Sequence, residues 1–231
     1  MYKLIPLAIL PGLVLGTYVY VKDKKEKEPI KLLVKLFFSG VFSCFLAVIL
    51  TYMLGFIIDI YSVNYDDVIS VFVHTFIVVG FTEEFSKWLF LYFISKNSEE
   101  YNYSFDIIVY SVFVSLGFAT YENIFYILDF GLDAALIRAF TTVPAHMFFA
   151  IFMGYFLLIA KKMEKKNILF KKNLNIILSI IVPVLLHGFF DFCVMYDNDI
   201  FIFIFVIFLG LLYMISYLFL EKLSDSDRKI N

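Results

Sequence analysis

The sequence predicts an all-α protein, a polytopic membrane bundle of about seven transmembrane helices. Hydrophobic residues make up 62% of the 231 positions and charged residues only 17%, a balance that water-soluble domains of this size do not show. Apolar runs of about 20 residues recur along the chain, and an α-helix of that length crosses about 30 Å of hydrocarbon. Strands of a membrane barrel would be about half as long. We therefore expect a lipid bilayer as the solvent, and no nucleic-acid partner is indicated.

The predicted spans follow one another through short polar connections, with no room for a soluble domain. In chain order they cover residues 3–21, 30–58, 68–95, 105–130, 135–160, 173–196 and 200–220. The first run is interpreted as a retained span, because no small-residue cleavage site of a signal peptide follows it. Residues 1–231 are expected to form a single integral-membrane domain whose site-bearing core covers about 68–196.

The lysine distribution predicts the orientation of these spans, because cytoplasmic connections are enriched in lysine and arginine. The connections after spans one and five carry Lys22, Lys24, Lys25, Lys27, Lys31, Lys35, Lys161, Lys162, Lys165, Lys166, Lys171 and Lys172. Those after spans two and six carry no lysine or arginine but Asp59, Asp66, Asp67, Asp197 and Asp199. The N-terminus is therefore predicted outside and the C-terminal tail in the cytoplasm.

The third span carries three ionisable side chains near the middle of the membrane, Glu83, Glu84 and Lys87. Each costs about 2.5–3.5 kcal/mol there on insertion scales, so intramembrane charges are functional by default. Lys87 lies four residues after Glu83 and three after Glu84, so it can neutralise one of the two carboxylates. A buried ion pair that only ties helices together needs one acid, and the second then remains available for chemistry.

The next three spans contribute an acid and two histidines. Glu122 is followed by the amide Asn123 and has no cation near it in the sequence, and its structural alternative is a protonated acid bonded to a neighbouring helix. His146 heads a small-residue face suited to close packing. His187 lies one turn before Asp191, which can fix the tautomer of an imidazole or join it at a metal. The depths of these groups predict that they converge in the middle to outer half of the membrane.

Four further residues are interpreted as structural. His74 and Arg138 lie near the predicted outer surface and are expected to be interfacial. Cys44 and Cys193 lie far apart within apolar runs, so we expect small core residues and no disulfide framework.

Two imidazoles and several carboxylates match a zinc site, which binds three protein groups and leaves one position for water when it is catalytic. A further glutamate would take the proton from that water, an arrangement suited to amide hydrolysis. The same buried groups would serve a proton-coupled transporter or channel, although no inverted repeat or pair of broken helices supports that reading. A catalytically silent membrane chaperone is a third alternative.

Taken together, the motifs resemble those of the PrsW family of intramembrane proteases. Residues 83–87 are similar to the EExxK motif of that family, residues 118–122 to FxxxE and residues 187–191 to HxxxD, while His146 matches a further histidine position. The resemblance covers about residues 75–195, and the motifs fall in order on separate spans.

The resemblance implies a role for each matching residue. Glu83 and Glu84 would be catalytic acids, and Glu122, His146 and His187 candidate ligands of zinc or another divalent metal. Lys87, Asn123 and Asp191 would support them. A glutamate-driven mechanism without metal, argued for the wider superfamily, remains the alternative.

The resemblance also implies a substrate class. The founding member clips a single-span anti-sigma factor on its extracytoplasmic side, so we expect a membrane-anchored protein substrate in a bacterial cell membrane. The related CAAX-processing proteases carry EExxxR and FxxxH motifs. Here Lys87 stands one position earlier and Glu122 replaces that histidine, so a prenylated substrate is not expected.

Overall fold

A computed structural model describes residues 5–58, 64, 67–96, 98–196 and 198–230. Eight α-helices and one π-helix make up these ranges. They are α1 (Ile5–Lys22), α2 (Ile30–Ile58), α3 (Val68–Phe72), the π-helix Val73–Gly80, α4 (Phe81–Lys96), α5 (Asp106–Phe140), α6 (Thr142–Lys165), α7 (Leu169–Met195) and α8 (Asp199–Asp225). The prediction of an all-α membrane bundle is confirmed.

Six helical segments within the described ranges are long and apolar enough to cross a membrane, against seven predicted spans. The difference comes from the run Asp106–Lys165, which contains both α5 and α6 and counts as one segment of 60 residues. At 1.5 Å per residue a straight helix of that length would measure about 90 Å, three times the hydrocarbon thickness. The run is in fact two helices, α5 and α6, which pack against each other, and each is long enough for one crossing.

A break within α5 changes how the chain passes from the fourth span to the fifth. Gly131 has φ 80° and ψ −160°, a conformation that glycine adopts without the steric cost of a side chain. The helix continues beyond it to Phe140, so residues 135–140 belong to α5 and not to the start of the next span as predicted. The chain therefore turns at Gly131 and returns toward the bundle.

The buried core lies mainly on α5 and α6, and close helix contacts next to them position the site. A side-chain carbon at Gly117 would lie 1.9 Å from the carbonyl oxygen of Phe37, so α2 and α5 touch along their backbones. A carbon at Gly188 would lie 2.5 Å from the Phe76 ring, which brings the π-helix against α7. Small residues of this kind permit tight packing between membrane helices.

The lysine-rich connections and the C-terminal tail lie at one end of the bundle. Lys22 pairs with Glu221, and Lys24 with Asp225 at 2.7 Å. Asp227 accepts hydrogen bonds from the Ser104 hydroxyl and the Phe105 amide, both at 2.9 Å. This grouping agrees with the predicted alternation of the spans, although Asp59, Asp66, Asp197 and Asn231 lie outside the described residues.

Both cysteines, Cys44 and Cys193, are buried and free, as predicted for small core residues.

Candidate functional site

The acidic pair and its lysine lie in the first two turns of α4, directly after the π-helix. The Lys87 ammonium donates to Glu84 Oε1 at 2.5 Å and lies 3.9 Å from Glu83 Oε2. The Lys87 and Glu84 side chains are almost fully buried, at 1% and 0% exposure, whereas Glu83 is 16% exposed. The prediction that Lys87 neutralises one carboxylate is confirmed, and the neutralised one is Glu84.

His187 connects α7 to this pair. Its Nδ1 donates to Glu84 Oε1 at 2.8 Å, and its Nε2 lies 3.3 Å from Asp191 Oδ2 and 3.8 Å from Glu83 Oε2. The ring also stacks on Phe149, with centroids 5.3 Å apart. Glu84 thus fixes the ring orientation and leaves Nε2 facing the other two carboxylates, as a carboxylate commonly does for a metal-binding histidine.

His146, near the start of α6, has a partner at each ring nitrogen. Lys87 Nζ lies 3.1 Å from its Nδ1, and Glu122 Oε2 lies 3.1 Å from its Nε2. An ammonium group can only donate, so Nδ1 accepts and the proton of the neutral ring sits on Nε2, directed at Glu122. The two histidine rings lie close together, with centroids 5.1 Å apart.

Arg138 belongs to this site, and the prediction that it is interfacial is wrong. Its side chain is buried, Nη2 forms an ion pair with Glu122 Oε2 at 2.8 Å, and Nε donates to Asn123 Oδ1 at 3.2 Å. The guanidinium also stacks 3.9 Å over the Tyr126 ring. Glu122 therefore does have a cation, which the turn at Gly131 brings back to it.

This contact could not be read from sequence spacing. Arg138 lies 16 residues after Glu122, which corresponds to about 24 Å along a straight helix. The available signal was a glycine inside an apolar helical run, followed within two turns by an arginine. His74, also expected to be interfacial, is half-buried and lines a cavity together with Arg138.

Three of these side chains offer a candidate metal centre. Ligand atoms of Glu83, His146 and His187 lie within 4.8 Å of one another, the one such group among the residues described. Glu83 Oε2 is buried and has no hydrogen-bond partner there, and two imidazole nitrogens with a carboxylate oxygen suit zinc. These residues fit a divalent metal. The ligand set implied by the resemblance contains the same two histidines, but its acid is Glu122 in place of Glu83. The role of Glu122 as a ligand remains a prediction.

Two cavities meet at this cluster, and Val79, Glu83 and Glu122 line both. One, of about 720 Å³, is partly polar and is bordered by Arg138, Thr142, Asp191 and other residues near the ends of α5, α6 and α7. The other, of about 740 Å³, is mostly apolar and lies between α2 and α5. Glu84 lines neither cavity.

Comparison with known proteins shows one consistent similarity. A family model described as the PrsW family of intramembrane metalloproteases matches residues 28–220. The chain is 36% identical to protease PrsW of Oceanobacillus iheyensis over 192 residues, 83% of each chain. It is 32% identical to protease PrsW of Halalkalibacterium halodurans over 228 residues, 99% of this chain and 100% of the relative. Protease PrsW of Bacillus subtilis is 34% identical over 193 residues. No solved structure matches the chain.

Proposed function

The chain belongs to the PrsW family and is an intramembrane protease, and from this premise we propose that it cuts a membrane-anchored protein near the extracytoplasmic face of a bacterial membrane. One observation supports this most. The carboxylates of Glu83 and Glu122 lie where a polar cavity meets an apolar one, so a peptide bond placed there has water on one side and an apolar environment on the other. An anti-sigma factor with a single span is one substrate of this class.

The two predicted catalytic acids have different surroundings, so we assign them different roles. Glu83 borders both cavities and has an unpartnered oxygen, which suits a group that accepts a proton from the attacking water. Glu84 is fully enclosed and holds both Lys87 and His187. Glu84 is therefore proposed as a positioning residue, and Glu83 as the acid that contacts water.

Metal assistance belongs to the same proposal. With a metal bound, Glu83, His146 and His187 would hold the ion, so Glu83 would be a ligand there and would accept the proton of the water only in the metal-free mechanism. Because Glu84 binds Nδ1 of His187, Nε2 faces Asp191 and Glu83. His146 would offer Nδ1 once Lys87 moves away, while its Nε2 proton stays hydrogen-bonded to Glu122. Such an ion would lower the pKa of a water molecule and polarise the scissile carbonyl. Glu122, held by Arg138, would keep His146 in place.

The position of the cluster supports cleavage at the outer face. His146 lies four residues after the start of α6 and His187 eight before the end of α7, or about 6 Å and 12 Å from those ends. The lysine-rich connections lie at the opposite ends of α6 and α7, which the distribution of positive charge places in the cytoplasm. Reporter fusions at Asn64 and Asn231 test this orientation, and an external Asn231 would contradict it.

Cleavage itself is tested with purified chain in lipid vesicles and a single-span reporter protein. The wild type should cut the reporter, Glu83→Gln should not, and the new terminus read by mass spectrometry should lie on the extracytoplasmic side or in the outer half of the span. Glu99→Gln, the same change at an exposed glutamate outside both cavities, is the control and should cut normally. Full activity of Glu83→Gln, or a cut in the cytosolic tail, would refute the proposal.

A further inference from the structure

The apolar cavity beside Glu83 has the size and chemistry of a side-chain subsite. Its volume of about 740 Å³ falls within the range of about 300–1,000 Å³ typical of ligand pockets. Its walls come from α2, the π-helix, α4 and α5, and Glu83 and Glu122 are the two acidic residues in its lining. Except at the two glutamates, this lining is largely apolar and aromatic.

Two of the polar side chains in these walls are already bonded within the protein. The Thr51 hydroxyl is hydrogen-bonded to the Thr82 hydroxyl at 2.9 Å, and the Cys44 thiol contacts the Phe118 carbonyl oxygen at 3.6 Å. A polar ligand group placed against them would lose its hydration without gaining a new partner, which disfavours its binding. The cavity therefore selects an apolar group.

The same cavity is open to the lipid. Val48, Ile49 and Tyr52, on its α2 wall, are 54%, 56% and 74% exposed, and Phe125 on the α5 wall is 49% exposed. In a bilayer these surfaces face acyl chains. A segment of a membrane-embedded substrate can thus reach the cavity sideways, between α2 and α5, without leaving the hydrocarbon region.

The two cavities lie at different depths, which orients a bound substrate. The apolar cavity extends to Cys44, midway along α2, whereas the polar cavity reaches Thr142 and Met195 at the ends of α6 and α7. A substrate chain that passes Glu83 would place its transmembrane part in the deeper, apolar cavity. Its extracytoplasmic part would then lie in the polar cavity. The residue in the apolar cavity then lies on the transmembrane side of the scissile bond.

We propose that this cavity is a specificity subsite for a bulky apolar side chain, supplied by the substrate residue next to the cut on its transmembrane side. The inference rests on the proposed protease function and adds its sequence preference. Ala47 is the gatekeeping residue, because it has the smallest side chain in the lining, is 3% exposed and packs with Cys44 and Phe118. A larger side chain at this position takes up room that the substrate needs.

The test uses the full chain in vesicles and two single-span reporters that differ only at the residue on the transmembrane side of the mapped cut, which is Phe or Ala. A difference of several methylenes in an apolar pocket changes kcat/KM by about tenfold or more. The wild type should therefore prefer the Phe reporter by that factor. Ala47→Phe should lose the preference or reverse it while still cutting the Ala reporter.

Two further variants keep the test decisive. Val48→Phe narrows the lipid-facing mouth of the cavity at an exposed position and should shift the preference in the same direction as Ala47→Phe. It therefore tests the subsite even if Ala47→Phe does not fold. Met53→Phe, on an exposed part of α2 outside the cavity lining, should leave the preference unchanged. Equal cleavage of both reporters by the wild type, or an unchanged ratio in both cavity variants, would overturn the subsite. A wild type that cuts neither reporter would instead overturn the proposed function.

Discussion

Replacing Glu84 should damage stability as well as activity, whereas replacing Glu83 should damage activity alone. Glu84→Gln removes the negative charge that Lys87 contacts at 2.5 Å. The Lys87 side chain, which is only 1% exposed, then has Glu83, 3.9 Å away, as its nearest carboxylate. Removing one partner of a buried ion pair costs about 3–5 kcal/mol. For a protein of this length that corresponds to a fall in Tm of roughly 6–20 °C. Glu83→Gln leaves the Lys87–Glu84 pair intact, so its Tm should change by only a few degrees.

The single tryptophan provides the assay. Trp88 follows Lys87 in α4, and its indole N–H donates to the Ser179 hydroxyl of α7 at 2.9 Å, so its fluorescence reports the contact between these helices. Thermal unfolding in detergent is recorded for both glutamine variants and for the double variant Glu84→Gln with Lys87→Met. The double variant removes both buried charges and should regain most of the lost Tm without regaining cleavage. A Glu84→Gln protein as stable as the wild type, or a double variant no more stable than the single one, would refute this reasoning.

Three further predictions concern the other charged groups. Arg138→Met should lower kcat/KM on the reporter by about 10–100-fold because Glu122 loses its ion-pair partner, and Arg138→Lys should restore it only in part, since lysine lacks the planar fork that binds two partners. His146→Ala and His187→Ala should each lower the metal content of the purified protein together with its activity, and a chelator should inactivate the wild type reversibly. A fully active, metal-free wild type would exclude the metal but leave a glutamate-driven protease. Burial and the nearby Asp106 carboxylate raise the pKa of Glu28 to about 8, against a usual value of 4.5. The stability that protonated Glu28 contributes is therefore complete below about pH 4.5 and lost as the pH rises through about 8, so Glu28→Gln should flatten the fall in Tm over that range. An unchanged pH profile in that variant would contradict the assignment.

The helices and the convergence of the site residues could be predicted because they follow from short-range rules. Span length and apolar composition set where helices run, and the spacing of Glu84 and Lys87 sets their contact. Counting residues from the predicted span ends placed Glu122, His146 and His187 about 8 to 11 residues deep and Glu83 about 15, close enough to converge on one site. Ligand atoms of Glu83, His146 and His187 do lie within 4.8 Å of one another. Their chemical roles remain predictions, since proximity does not assign a proton or a metal.

Features that depend on how the chain turns could not be predicted. The side chains of the π-helix Val73–Gly80 are about as apolar as those of the transmembrane helix α2, so the apolar pattern of the sequence does not distinguish a π-helix from an α-helix there. Arg138 stood near a predicted span end, where long cationic side chains usually reach toward water. Its actual position depends on the positive φ of Gly131, a backbone angle that the side-chain pattern does not encode.

The charge arrangement of the finished site separates Glu83 from its neighbours. Lys87 contacts Glu84 at 2.5 Å, Arg138 contacts Glu122 at 2.8 Å, and the Asp191 carboxylate lies 3.3 Å from His187. Glu83 Oε2, in contrast, has contacts no closer than 3.8 Å to a cationic or imidazole nitrogen in the described structure and no hydrogen bond. Burying a carboxylate oxygen without a partner is unfavourable, and a water molecule, a metal or a substrate can relieve that penalty by binding there. Since both cavities lead to this carboxylate, a reactant that enters through either of them can reach it.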